Sequence, residues 1–173
     1  MTFEQGPIRP PSEAESLLIR VSRNCPWNRC RFCPVYKGAR FSRRPLAEVL
    51  ADIDAVAAWI RVFEGGGAAP PGAAPPDPAA RQAALNWYMC GMRSVFLQDA
   101  NPLVGPAADI IAVLRYLRQH FPGIERITTY ARATTVARHA LEDLVAMREA
   151  GLNRIHIGFE TGSDKVLRFM DKG

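Results

Sequence analysis

A chain of 173 residues, 48% of them hydrophobic, is long enough to bury one sizeable core, yet no apolar run approaches the ~20 residues that a membrane-spanning helix needs. Its four cysteines are not spaced as an even disulfide framework, which excludes a small secreted scaffold and points to the cytoplasm. The net charge of +5 is gathered near the N-terminal end: Arg20, Arg23, Arg29, Arg31, Lys37, Arg40, Arg43 and Arg44 fall in a stretch without a single acidic residue. Such a stretch either offsets bound negative charge or steers an anionic partner, whether an acidic electron donor, a phosphorylated substrate or RNA. No RNA-binding motif accompanies it.

The first fifteen residues, MTFEQGPIRPPSEAE, are polar and acidic with two adjacent prolines, so they form no signal peptide and read as an extension (1–15) ahead of the core (16–173). Residues 16–22 (SLLIRVS) predict a first strand that runs straight into a cysteine-rich loop. Pro45 suits a first helical turn, and Leu46, Val49, Leu50, Ile53, Val56, Ala57 and Ile60 recur at helical spacing after it. Residues 65–80 (GGGAAPPGAAPPDPAA) have no means of building a packed core or a helix and are expected to be a flexible surface insertion. A short helix over 81–89 would use Trp87 and Tyr88 for packing.

Residues 94–98 (SVFLQ) predict a second strand, and Pro106 opens a helix with Ile110, Ile111, Leu114 and Leu117 on its face. A third strand follows over 126–130, then helical material to Ala150 with Leu141, Leu144 and Val145 apolar, and Gly151 placed as its C-cap. The fourth strand is expected over 154–159 (RIHIGF), with Ser163 capping a last helix. Strand-then-helix units about thirty residues apart suit a parallel α/β sheet. Alternation in strands three and four sets Thr128, Tyr130, Arg132 and His156 on one face, which predicts a polar interior where Val, Ile and Leu would fill an ordinary barrel.

Cys25, Cys30 and Cys33 lie within nine residues, with four and then two residues between them. Thiolates that close converge from one loop, and the usual reason is a shared metal or iron–sulfur cluster. If the set is three, one coordination position stays open for chemistry. Cys90 is far away in sequence and is expected to be a buried thiol; as a fourth ligand it would instead make a plant-type 2Fe–2S electron carrier or a structural zinc site.

The CxxxxCxxC triad with Phe32 before its third cysteine resembles the radical S-adenosylmethionine (SAM) superfamily, and the likeness extends through residues 97–103 (LQDANPL), 128–133 (TTYARA) and 151–164 (GLNRIHIGFETGSD). Apart from the inserted linker it covers roughly Ser16 to the end. It implies a partial (β/α) barrel with about four of six repeats present and the C-terminal repeats missing, so that strand four is an unpaired edge prone to association. It further implies a 4Fe–4S cluster held by Cys25, Cys30 and Cys33, with SAM on the open iron cleaved to a 5′-deoxyadenosyl radical. The reductant it implies is a flavodoxin- or ferredoxin-like donor. A truncated, inactive copy is the other outcome such a likeness allows.

The same likeness assigns the strand ends. Phe32 would shield the cluster and pack near adenine. Aligned on Pro102, the carboxylate that receives the methionine ammonium is replaced by Asn101, with Asp99 two residues away as the alternative source of charge. Glu160 would contact the ribose diol, since each carboxylate oxygen accepts one hydroxyl hydrogen. Arg132 would pair with the SAM carboxylate. His156 faces the same interior, and His120 reads as compensation for a helix C-terminus.

Overall fold

The computed structural model describes residues 3–66 and 77–172. After a 3-10 turn at Pro11–Glu13, strand β1 (Leu17–Arg20) leads to a two-residue strand β2 (Ser22–Arg23), which pairs antiparallel with β3 (Ser42–Arg43) across the base of the cysteine loop. Then come α1 (Leu46–Glu64), α2 (Pro78–Met89), β4 (Ser94–Gln98), a 3-10 turn at Pro102–Val104, α3 (Ala107–His120), β5 (Arg126–Ala131), α4 (Ala133–Val136), α5 (Leu141–Glu149), β6 (Leu152–Ile157) and α6 (Asp164–Met170). The main sheet has the order β1-β4-β5-β6, and every pairing in it is parallel. Helices link β1 to β4, β4 to β5 and β5 to β6, as crossover connections between parallel strands require. Among the described residues the sheet does not close into a barrel.

One face of the sheet carries Leu17, Ile19, Val95, Leu97 and Ile127 into a core completed by Val49, Ile53, Val56 and Ile60 of α1 and Ile110, Val113, Leu114 and Leu117 of α3. The helical periodicity of α1 and α3 therefore places both helices as the sequence predicts. Pro45 and Pro106 each stand just before their helix rather than inside its first turn, with extended ψ values of 137° and 136°. Gly151 follows α5 with φ +116°, a conformation open to glycine.

Several expectations need correction. Most of the Gly/Ala/Pro insertion (67–76) lies outside the described residues, but its last part is helical: the Asp77 carboxylate accepts from the Ala79 N–H and Pro78 starts α2, with Ala80 fully buried. Proline is harmless at that first turn, and small alanines let α2 approach α1. On α5, Leu141 and Val145 are exposed and Met147 is the residue that reaches the core. The fourth strand starts at Leu152 and ends at Ile157, two residues earlier at each end than its alternation suggests, so Ile157 and Phe159 are exposed rather than packed.

The other face of the sheet bears Leu18, Phe96, Gln98, Thr128, Tyr130 and His156, and the N-terminal segment lies along it. The Gly6 N–H donates to Gln98 Oε1 (2.8 Å), and Gln98 Nε2 donates to the Ile8 carbonyl (2.6 Å). Phe3 joins the main core and Glu13 is fully buried. The segment is further tied down by charge: Glu4 meets Arg20 (2.6 Å) and Arg23 (2.8 Å), while Arg44 pairs with Asp52 (2.6 Å) under cover of both.

Burial pushes the Asp52 carboxyl up against the pull of Arg44. Removing one partner of such a buried pair leaves the other charge stranded. Asp52→Ala is expected to lower stability by about 3 kcal/mol, the mild end of that penalty because Glu4 and Glu48 lie 3.6 and 3.7 Å from the Arg44 Nε. Urea unfolding with an unchanged m-value checks it. The outer edge of β6, followed by exposed Phe159, is expected to drive concentration-dependent association visible in sedimentation velocity, and Phe159→Lys to reduce it.

Candidate functional site

Because the four strands run the same way, their C-terminal ends meet at one pole, where ligands settle in parallel α/β folds. The cysteine loop rises there from β1. Its two turns are set by Asn24 and Asn28, both in the left-handed region (φ +67° and +48°) that asparagine tolerates. The Asn28 side chain donates to the carbonyls of Tyr36 and Ala39, and its N–H points at the Cys25 sulfur (3.4 Å). The Cys33 N–H donates to the Cys30 carbonyl (3.3 Å).

Cys25, Cys30 and Cys33 are half-buried free thiols. They line one cavity of about 200 Å³ together with Phe32, Trp27, Tyr36, Ala100, Tyr130, Arg132, His156, Glu160 and Lys172. Burial pushes the Cys30 thiol up; Lys172 pulls the other way, and the neighbouring Cys25 and Cys33 add to the rise. Three thiols gathered on one loop around a common cavity form a donor set suited to a shared metal centre. Among the described residues no three Cys, His or carboxylate groups converge on a single-ion site.

Cys90 stands at the opposite pole. It lies before the start of β4, on a cavity shared with Ser16 and Leu17 at the start of β1, and it is exposed rather than buried as expected. The thiols of the loop follow the other end of β1, so Cys90 is out of reach as a fourth ligand.

The strand-end residues divide into two groups. Arg132 and Glu160 line the cavity: the Arg132 guanidinium sits over the Trp27 ring (4.8 Å), and one Glu160 oxygen pairs with Lys172 (2.7 Å). The pair lies over Gly158, where a Cβ would come within 2.7 Å of the Glu160 oxygen and 2.9 Å of the Lys172 nitrogen and push these side-chain ends aside. Phe32 is about half exposed at the cavity rim with Lys172 above its ring (5.8 Å).

Asp99 and Asn101 are buried beneath the cavity and only Ala100 between them lines it. One Asp99 oxygen accepts from Arg20 (2.7 and 3.1 Å) and from the Asn24 N–H (3.1 Å); the other accepts from the Tyr36 hydroxyl. Burial pushes the Asp99 carboxyl up, opposed first by the Arg20 bond. The expectation that Asp99 offers its charge to a bound amine is therefore revised: that charge is already spent on Arg20. Asn101 is likewise engaged, donating to Thr135 Oγ1 (2.7 Å) and accepting from the Arg132 N–H (3.3 Å). It fixes the backbone from which Arg132 projects.

The family model described as the radical SAM superfamily matches residues 19–173. The chain belongs to the radical SAM superfamily. No curated protein and no solved structure matches it. The radical SAM match begins inside β1 and takes in the cysteine loop and all four strand ends. No helix among the described residues is long and apolar enough to cross a membrane.

Three site residues escape a reading of motifs. Tyr36 and Arg20 act through Asp99, which no spacing rule reveals. Lys172 comes from the end of α6: the Trp27 Nε1–H donates to the Asp171 carbonyl (2.7 Å) and the Arg31 N–H to the Met170 carbonyl (2.8 Å), which brings the lysine onto the loop. If Asp99 anchors the loop, Asp99→Asn should cost about 1.5–3 kcal/mol, the range for a hydrogen bond to a charged group. It should also speed amide hydrogen exchange across residues 24–39. Unchanged exchange there would mean the loop is held by other contacts.

Proposed function

We propose that this chain holds a 4Fe–4S cluster through Cys25, Cys30 and Cys33 and binds SAM beside it in the same cavity, acting on a substrate by radical chemistry. The observation that carries the reading is the meeting of three thiols, Arg132 and Glu160 on one cavity at the pole where four parallel strands end. When reduced and loaded with SAM, such a cluster supplies the electron that splits the sulfonium into methionine and a 5′-deoxyadenosyl radical; the organic chemistry belongs to the cofactor and the protein binds, orients and excludes water.

The roles of the side chains follow from their chemistry. Arg132 offers a planar fork for the methionyl carboxylate, with its ring partner Trp27 and its backbone tie to Asn101 limiting its motion. Glu160 accepts hydrogens from the ribose diol while Lys172 holds its other side. Phe32 screens the cluster from solvent. Asp99 and Asn101 act one layer below, holding the loop and the β5 end. With both engaged, the contact that β4 offers to bound SAM is the Ala100 turn.

The reductant is proposed to approach over the basic surface. Arg20, Arg23 and Arg44 are consumed in internal ion pairs, but Arg29, Arg31, Lys37, Arg40 and Arg43 are exposed on and beside the cysteine loop. An acidic flavodoxin- or ferredoxin-like donor suits that surface. The electron-carrier alternative needs Cys90, whose place at the far pole speaks against it.

Anaerobic reconstitution tests the reading. Cys25→Ala, Cys30→Ala and Cys33→Ala should each abolish 4Fe–4S assembly, and Cys90→Ser should leave iron and sulfide content unchanged. Adding SAM should alter the electron paramagnetic resonance signal of the reduced cluster. Glu160→Ala should retain iron yet bind SAM roughly ten- to a hundredfold more weakly, the loss of one hydrogen-bonded carboxylate at about 1–3 kcal/mol. A full cluster with no response to SAM would leave an iron–sulfur protein without this chemistry.

A further inference from the structure

The cavity has a second polar region away from the thiols. His156, on β6, lines it, and its Nε2 lies 3.4 Å from Glu13 Oε1. Glu13 belongs to the 3-10 turn of the N-terminal segment, outside the residues matched by the family model. Its carboxylate is fully buried; the second oxygen accepts from Ser16 Oγ (2.6 Å) and from Arg126 (3.4 Å). The imidazole is held edge-on by Tyr130 (5.8 Å) and Phe96 (6.3 Å).

The chemistry of this pair is asymmetric. Burial works to raise the Glu13 carboxyl, but the hydroxyls of Ser16 and Thr128, the charge of Arg126 and, last, the bond from His156 more than offset it and leave the group below its ordinary value. An ionised carboxylate only accepts. The hydrogen in the Glu13–His156 contact therefore resides on Nε2, and in the neutral ring Nδ1 keeps a bare lone pair. With its side chain 23% exposed, His156 is open enough to be reached through the cavity.

We propose that Glu13 is a positioning residue that fixes His156 as the Nε2–H tautomer, so that Nδ1 accepts a hydrogen from a hydroxyl or amine of the substrate bound in this cavity. Where that hydrogen is transferred, the proton passes from the substrate O–H or N–H to Nδ1. Glu13 then balances the imidazolium, and no oxidant or reductant enters this step. The substrate class is thus one carrying a hydroxyl or amine within reach of His156 on the cavity wall. The inference rests on the proposed function only in treating the cavity as the reaction chamber.

The test uses the full chain before cluster reconstitution, labelled with 15N at its three histidines, the His156 signals being assigned with His156→Gln. Long-range proton–nitrogen spectra of the wild type should show His156 protonated at Nε2 and bare at Nδ1. Glu13→Leu, similar in size but without an acceptor, should lose that single form for a mixture; Glu13→Gln gives the same comparison where the leucine variant fails to fold. Identical tautomers in wild type and variants would overturn the positioning role. Diethyl pyrocarbonate followed by mass spectrometry should acylate wild-type His156, and a His156 that resists while the comparably half-buried His120 and His139 react would overturn its access to the cavity. Neither readout involves iron or SAM, so a chain that fails to assemble a cluster leaves the pair standing, and failure here leaves the cluster reading intact.

Discussion

A single buried carboxylate at the end of β4 organises the pole where the parallel strands end. Asp99 collects the Arg20 guanidinium from the end of β1, the Asn24 N–H at the entry to the cysteine loop and the Tyr36 hydroxyl at its far side. A charge with no exposure to water persists only where every lone pair is answered. The three donors answer it, and in doing so they tie both ends of the loop above the two-residue strand pair at its base. The thiols are presented by a loop held by this anchor together with the Asn28 side chain and the end of α6.

The rest of the charge follows the same logic. The basic stretch between Arg20 and Arg44 divides into residues turned inward against Glu4, Glu48, Asp52 and Asp99 and residues left in water around the loop. The inward set binds the N-terminal segment to the sheet, so this segment is part of the core and of the cavity wall, where Ile8 takes its place. The outward set is screened by salt and contributes to encounter rather than to stability.

Much of this was legible from residues alone, because periodicity and spacing are local signals. The apolar repeats of α1 and α3, the alternation of Thr128 and Tyr130, and the cysteine triad each declare themselves within a few turns of chain. What was not legible depends on distant partners. Asp99 looks like a ligand because it sits at a strand end beside a turn, and only the approach of Arg20 and Tyr36 shows that its charge is already used. Cys90 looks buried as cysteines usually are, but the turn after α2 turns it outward. Leu141 and Val145 carry the apolar signal of α5 while Met147 does the packing, a matter of how a short helix is rotated on its neighbour. Asp77 is hidden in a low-complexity run that reads as featureless, although its side chain caps α2.

The docking of the α6 end on the cysteine loop has a bearing on the order in which this protein takes shape. The contact between Trp27 and the Asp171 carbonyl joins residues 144 apart in sequence, so the entropy of closing nearly the whole chain must be met before it forms. On a ribosome the loop emerges early and waits for its last supports until α6 has been made. The thiols are then at their most accessible during synthesis, and their enclosure is a late event. Whatever is to reach the thiols has its widest access before the end of α6 docks on the loop.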